Sequence, residues 1–104
     1  MDFDKRRDYL KRYRILISKI ARLRRMAKIC PENRKKYEAE IGVCIAERDG
    51  IEKAICNVDG GLLTEILALK YMCGKTLEEI ALDICYSKRQ TERLHLKALK
   101  LLEI

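Results

Sequence analysis

Two helix-start signals eleven residues apart constrain this chain more than any other feature. Thr76 is followed three residues later by Glu79, and Ser87 by Gln90. In such a capping box the hydroxyl accepts from the third helical amide, and the acidic or amide side chain accepts from the cap's own N–H. Leu77, Ile80, Ala81 and Ile84 recur at helical spacing after the first box. Thr91, Leu94, Ala98 and Leu101 do so after the second. Only Cys85-Tyr86-Ser87 separates the two helices, so they must cross steeply, as in a helix-turn-helix. With the Thr91–Leu94–Ala98–Leu101 stripe turned to the core, Arg89, Arg93, Lys97 and Lys100 form a basic ridge on the opposite side.

The residues Thr76-Leu-Glu-Glu-Ile-Ala-Leu-Asp-Ile-Cys-Tyr-Ser87, followed by Gln90, Arg93, Lys97-Ala98-Leu99 and Leu102, resemble region four of bacterial sigma factors. Leu67-Ala-Leu-Lys-Tyr71 is similar to the preceding helix of that module, and the resemblance covers residues 60–102. It implies a unit that reads double-stranded DNA. Carried over position by position, Lys88, Arg89 and Arg93 fall at base-reading positions, and Lys97 near the end of the module that faces activators. Thr76, Ser87, Gln90, Lys97 and Lys100 are assigned to the DNA backbone. Two residues depart from the pattern. Cys85 stands where the family usually has Gly in the turn, and Glu92 replaces a basic residue that often grips phosphate.

Charge is unevenly spread. Residues 1–30 carry eleven Lys/Arg against three Asp, whereas residues 31–60 carry five basic and seven acidic side chains, and the whole chain is +7. The excess on the first segment favours polyanions in a salt-dependent way, with Arg22, Arg24 and Arg25 as non-specific DNA contacts. The five cysteines, at 30, 44, 56, 73 and 85, contain no closely spaced pair, and His95 is the one histidine. No metal site or cofactor is expected. An odd cysteine count without a signal-like amino terminus predicts reduced thiols in a cytoplasm, most of them on apolar stripes. No apolar run approaches membrane-spanning length.

Ahead of the helix-turn-helix, residues 4–29 lack Gly and Pro and place Leu10, Tyr13, Ile17, Ile20, Leu23 or Arg24, Ala27 and Cys30 at a period near 3.5. Pro31 interrupts this helix. A second helix runs to about Asn57 with Tyr37, Ile41, Cys44 or Ile45, Ile51, Ile55 and Val58 on one stripe that keeps its phase across Gly50. Pairs of Arg24 or Arg25 with Glu38 or Glu40 are expected to flank the two. The reading is all-α: an antiparallel helical hairpin over residues 1–59, joined at 58–61 to a tri-helical module over residues 60–104 with helices at 62–72, 77–84 and 88–102. The apolar stripes exceed what two helices can bury, so a homodimer built by the hairpin is expected, and Leu96, Leu99, Leu102 and Ile104 should cover the hairpin or a second subunit.

The function expected from these features is a sequence-specific DNA-binding transcription regulator. Its architecture resembles the small phage and prophage late-gene activators of the RinA and ArpU type. Two alternatives use the same parts: a small terminase-like DNA-packaging protein, and a module that binds RNA polymerase or a sigma factor. No phosphate loop, no clustered carboxylates and one lone histidine argue against an enzyme, and His95 is placed at a surface or interface rather than in catalysis.

Overall fold

The computed structural model describes residues 3–58 and 61–104, and all regular structure among them is helical. Five helices follow one another: α1 (Phe3–Ile29), α2 (Arg34–Cys56), α3 (Gly61–Leu67), α4 (Leu77–Ile84) and α5 (Lys88–Leu101). A 3-10 turn over Pro31–Asn33 joins the first two, and a π-helical turn over Ala68–Met72 extends α3. Asp59 and Gly60, at the expected joint, lie outside the described residues.

The long helices are helical for the reasons visible in their sequence: neither contains proline, and each has one apolar stripe. Pro31 takes the first position of the 3-10 turn, where its missing N–H is no loss. The chain then reverses, so that Arg12 meets Glu47 at 2.6 Å and the Tyr13 hydroxyl donates to Glu52 at 2.7 Å. Burial and this hydrogen bond raise the Tyr13 phenol to about 12. Helix α2 runs unbroken through Gly42 and Gly50.

The buried seam is turned slightly from its expected position. Leu10, Tyr13, Leu16, Ile20 and Leu23 are buried on α1, whereas Ile17 is 41 % exposed. From Leu10 the buried positions step by three to Tyr13 and again to Leu16, then by four to Ile20, so the seam passes through Leu16 where the expected repeat passes through Ile17. On α2 the burial concentrates at Cys44, Ile51, Ala54 and Ile55, continued by Val58 just beyond its end, and Tyr37, Ile41 and Ile45 pack partly against it. The expected partners of Glu38 are replaced as well: it pairs with Arg34 one turn away, not with Arg24 or Arg25. Of the cysteines only Cys44 is buried and Cys30 half-buried. Cys56, Cys73 and Cys85 are exposed, so most cysteines are not core hydrophobes.

The molecule measures 53 × 27 × 22 Å, and one buried cluster joins α1 and α2 to the end of α3, the π-helical turn and α5. Leu10, Tyr13 and Ile51 share a cluster with Leu67, Tyr71, Ala98, Leu99 and Leu102. The amino-terminal end of α1 thus packs on α5, while the Pro31 turn points away. Arg6 fixes this junction. Buried at 8 % exposure, its guanidinium donates to the carbonyls of Leu99 (2.8 Å) and Leu102 at the carboxy-terminal end of α5. Leu99 O also accepts the N–H of Leu102 at 3.3 Å, and a cation beside these last carbonyls suits the helix dipole.

The α4–α5 turn follows the capping chemistry. Tyr86 N–H donates to Ala81 O at 3.0 Å and Cys85 N–H to Leu82 O at 3.4 Å, a Schellman ending with Cys85 at φ 60°, ψ 38°. A side chain in that conformation costs about 1 kcal/mol or more, a cost glycine avoids. Cys85→Gly is therefore expected to stabilise the fold by about 0.5–1 kcal/mol, read as a higher midpoint in urea. An unchanged or lower midpoint would show that the Cys85 side chain offsets its own strain.

Candidate nucleic-acid interface

Both capping boxes close. Glu79 N–H donates to Thr76 Oγ1 at 3.2 Å and Thr76 N–H to Glu79 Oε1 at 3.1 Å. Gln90 N–H donates to Ser87 Oγ at 3.1 Å and Ser87 N–H to Gln90 Oε1 at 3.3 Å. The caps define where α4 and α5 begin, and hence which α5 side chains stand in its first turn. Ile80 and Ala81 of α4 are buried, as is Thr91 of α5, whose hydroxyl donates to Ser87 O at 2.9 Å.

Arg89, Arg93, Lys97 and Lys100 are all exposed along α5, as are Lys88, Gln90 and Glu92. Arg89 and Arg93 are one turn apart, and neither has an ion-pair partner among the described residues. Lys88 differs. Its ammonium lies 2.7 Å from Glu78 of α4, which holds Lys88 above and Glu78 below their ordinary pKa values. Lys88 would have to leave that carboxylate to reach a base. Thr76, Ser87 and Gln90 are exposed at the helix starts, where their side chains are occupied by capping.

The core stripe of α5 differs from the expected one. It runs through Thr91, His95, Ala98, Leu99 and Leu102, while Leu94 is half-buried and Leu101 is 44 % exposed. Helix α5 packs against α3, α4 and α1, and its buried face is turned towards Leu99 and Leu102. His95 lies inside, at 3 % exposure, where the sequence suggests a surface or an interface. Its Nε2 is 2.7 Å from the Tyr71 hydroxyl, and the two rings stack at 5.7 Å between centroids. Tyr71 was legible only as an apolar helix position; its role as the polar partner of a buried imidazole depends on a contact 24 residues away in sequence.

Burial, with the positive charges of Lys70 and Arg7 nearby, pushes the His95 imidazole down to about 4. The unfolded chain takes up this proton near pH 6.5, the folded chain only near pH 4. The neutral form's contribution is thus complete above pH 6.5 and is lost as pH falls through that window, by up to about 3 kcal/mol. Urea unfolding of wild type and His95→Gln at pH 7 and pH 4.5 should show a steeper acid loss for wild type. Parallel losses would remove His95 as the cause.

Among the basic residues of α1, Arg22 and Arg25 line a shallow groove with Lys19 and Met26, whereas Arg24 borders another with Pro31, Arg34 and Glu38. All three are exposed, but Arg24 faces a different side. Among the described residues no cluster of side chains suits a metal ion, and no helix is long and apolar enough to cross a membrane. Compared with family models, with curated proteins and with solved structures, the chain finds no match in any of the three.

Proposed function

We propose that this protein is a sequence-specific DNA-binding transcription regulator of the small phage or prophage type, reading duplex DNA with α5. The observation that carries this is the outer face of α5: Arg89, Arg93, Lys97 and Lys100 stand exposed on a helix whose start is fixed by its own capping box and by the tight turn from α4. A helix so presented fits the major groove. Arg is suited to the O6 and N7 edges of guanine, and lysines further along the helix to phosphate. Arg22 and Arg25 would add affinity without sequence preference. Selection of bound fragments from a random duplex library at two salt concentrations tests the reading. Enrichment of a defined motif that survives the higher salt supports it; retention of all sequences alike, or of none, refutes it.

A homodimer belongs to this proposal. Ile15, Met26 and Ile29 share one outer face of α1 and remain exposed, as does Val43 of α2, and a second copy can cover this apolar surface. Paired half-sites would then mirror the protein's two-fold axis. Sedimentation equilibrium at micromolar concentration should give twice the 12.2 kDa chain mass. A folded monomer at that concentration would remove the two-half-site arrangement. Leu82, 80 % exposed on the outer side of α4, and the exposed Tyr86 beside it favour an additional protein contact at the turn, for which RNA polymerase is the proposed partner.

A further inference from the structure

Beside the first turn of α5 lies an open cleft of about 510 Å³, walled by α1, the π-helical turn, and the starts of α4 and α5. Five cations line it: Lys11 and Arg14 from α1, Lys70 from the π-helical turn, Lys75 before α4, and Lys88 at the start of α5. Two of them have local partners, Lys75 with Asp83 at 2.5 Å and Lys88 with Glu78 at 2.7 Å. Lys11, Arg14 and Lys70 have no ion-pair partner among the described residues. Of the two carboxylates on the lining, Glu78 is held by Lys88 and Glu92 stands at its rim on α5.

Arg14 is not simply a loose surface side chain. Its guanidinium lies against Gly74, in the space a Cβ would occupy, and Gly74 has φ +76°. The bare, left-handed glycine that ends the π-helical turn therefore leaves room for a cation from α1. Concentrating like charges in one cleft is unfavourable unless an anion relieves it.

We propose that this cleft takes phosphates of the duplex backbone that flanks the groove read by α5, with Lys11, Arg14 and Lys70 as its ligands. The inference rests on the DNA-reading role proposed for α5. The cleft shares Lys88 and Glu92 with the first turns of that helix, so a strand bordering the occupied groove passes its mouth. Its open shape suits a continuous strand better than an enclosed small anion. Helix α1 thereby becomes part of the DNA-binding surface at its α5-proximal end, separate from Arg22 and Arg25 more than one turn further along.

The test compares wild type, Lys11→Gln/Arg14→Gln and the charge-keeping Lys11→Arg/Arg14→Lys on a selected duplex and a scrambled one, over a salt series. Each phosphate contact contributes about 0.9 to the slope of log K against log salt. The neutralised pair should lose roughly one to two of these slope units, equally on both duplexes, and the charge-keeping pair should retain them. Wild-type binding with an unchanged slope in the neutralised pair overturns the cleft assignment and leaves α5 as the reader. A slope lost equally in the charge-keeping pair overturns it too, since the role would then be structural. Binding of inorganic phosphate at the cleft, followed by amide shifts of Gly74 and Lys75 and unaffected by duplex, would make it a free-anion site instead. Absence of any duplex binding by folded wild type removes both the α5 reading and this one.

Discussion

Arg89→Ala/Arg93→Ala is expected to weaken binding to a selected duplex by about 2–6 kcal/mol, from about 1–3 kcal/mol per base-reading side chain, while leaving the helix content and melting unchanged. Both side chains are exposed on α5, one turn apart, and neither has an ion-pair partner among the described residues to give up on binding. Their loss removes no core contact, because the buried positions of α5 are Thr91, His95, Ala98 and Leu99. The double variant should also bind selected and scrambled duplexes almost alike, since phosphate contacts remain while base contacts are gone. Lys88→Ala should cost less specificity, as its ammonium is already engaged by Glu78. Fluorescence anisotropy at moderate salt separates these outcomes. Wild-type affinity and preference in the double variant would mean that α5 does not read bases.

The parts of this fold that were legible in the sequence are those written in short-range chemistry. The capping boxes at Thr76 and Ser87 lie within four-residue windows, and so does the turn at Cys85. Pro31 likewise marks the reversal between α1 and α2 from its missing amide alone. What the sequence hid depends on which neighbour a helix meets. Leu16 rather than Ile17 is buried because the rotation of α1 is fixed by its partners. His95 lies inside because α5 packs against several other helices, and its polarity, which argued for a surface or an interface, is satisfied by Tyr71. Arg6 appeared only as one of many positive charges. Its partners are carbonyls 93 and 96 residues away, and no local pattern announces a cation that closes a distant helix end. The cleft of Lys11, Arg14 and Lys70 was invisible for the same reason: its walls come from segments nearly sixty residues apart.

Leu10→Ala is expected to destabilise the protein by about 2–5 kcal/mol, the range for a fully buried leucine whose site only partly collapses. Leu10 is completely buried, one turn after Arg6 and close to Tyr13, in the cluster that also holds Ile51 and Ile55 of α2 and Leu99 and Leu102 of α5. A cavity there loosens α1 from both neighbours at once. Its consequence therefore reaches beyond the α1–α2 pair. The Arg6 hydrogen bonds to Leu99 and Leu102 need α1 seated on α5, so the carboxy-terminal end of α5 should lose its closure together with the seam. A small protein whose main buried cluster joins the segments before and after residue 60 should unfold in a single cooperative step. Tyrosine fluorescence and far-ultraviolet circular dichroism of the variant should accordingly give one coincident transition in urea, shifted to a lower midpoint. Two separated transitions, with α4 and α5 surviving the loss of α1 and α2, would show instead that the segments before and after residue 60 are held by independent cores and that the junction around Leu10 and Arg6 contributes little to either.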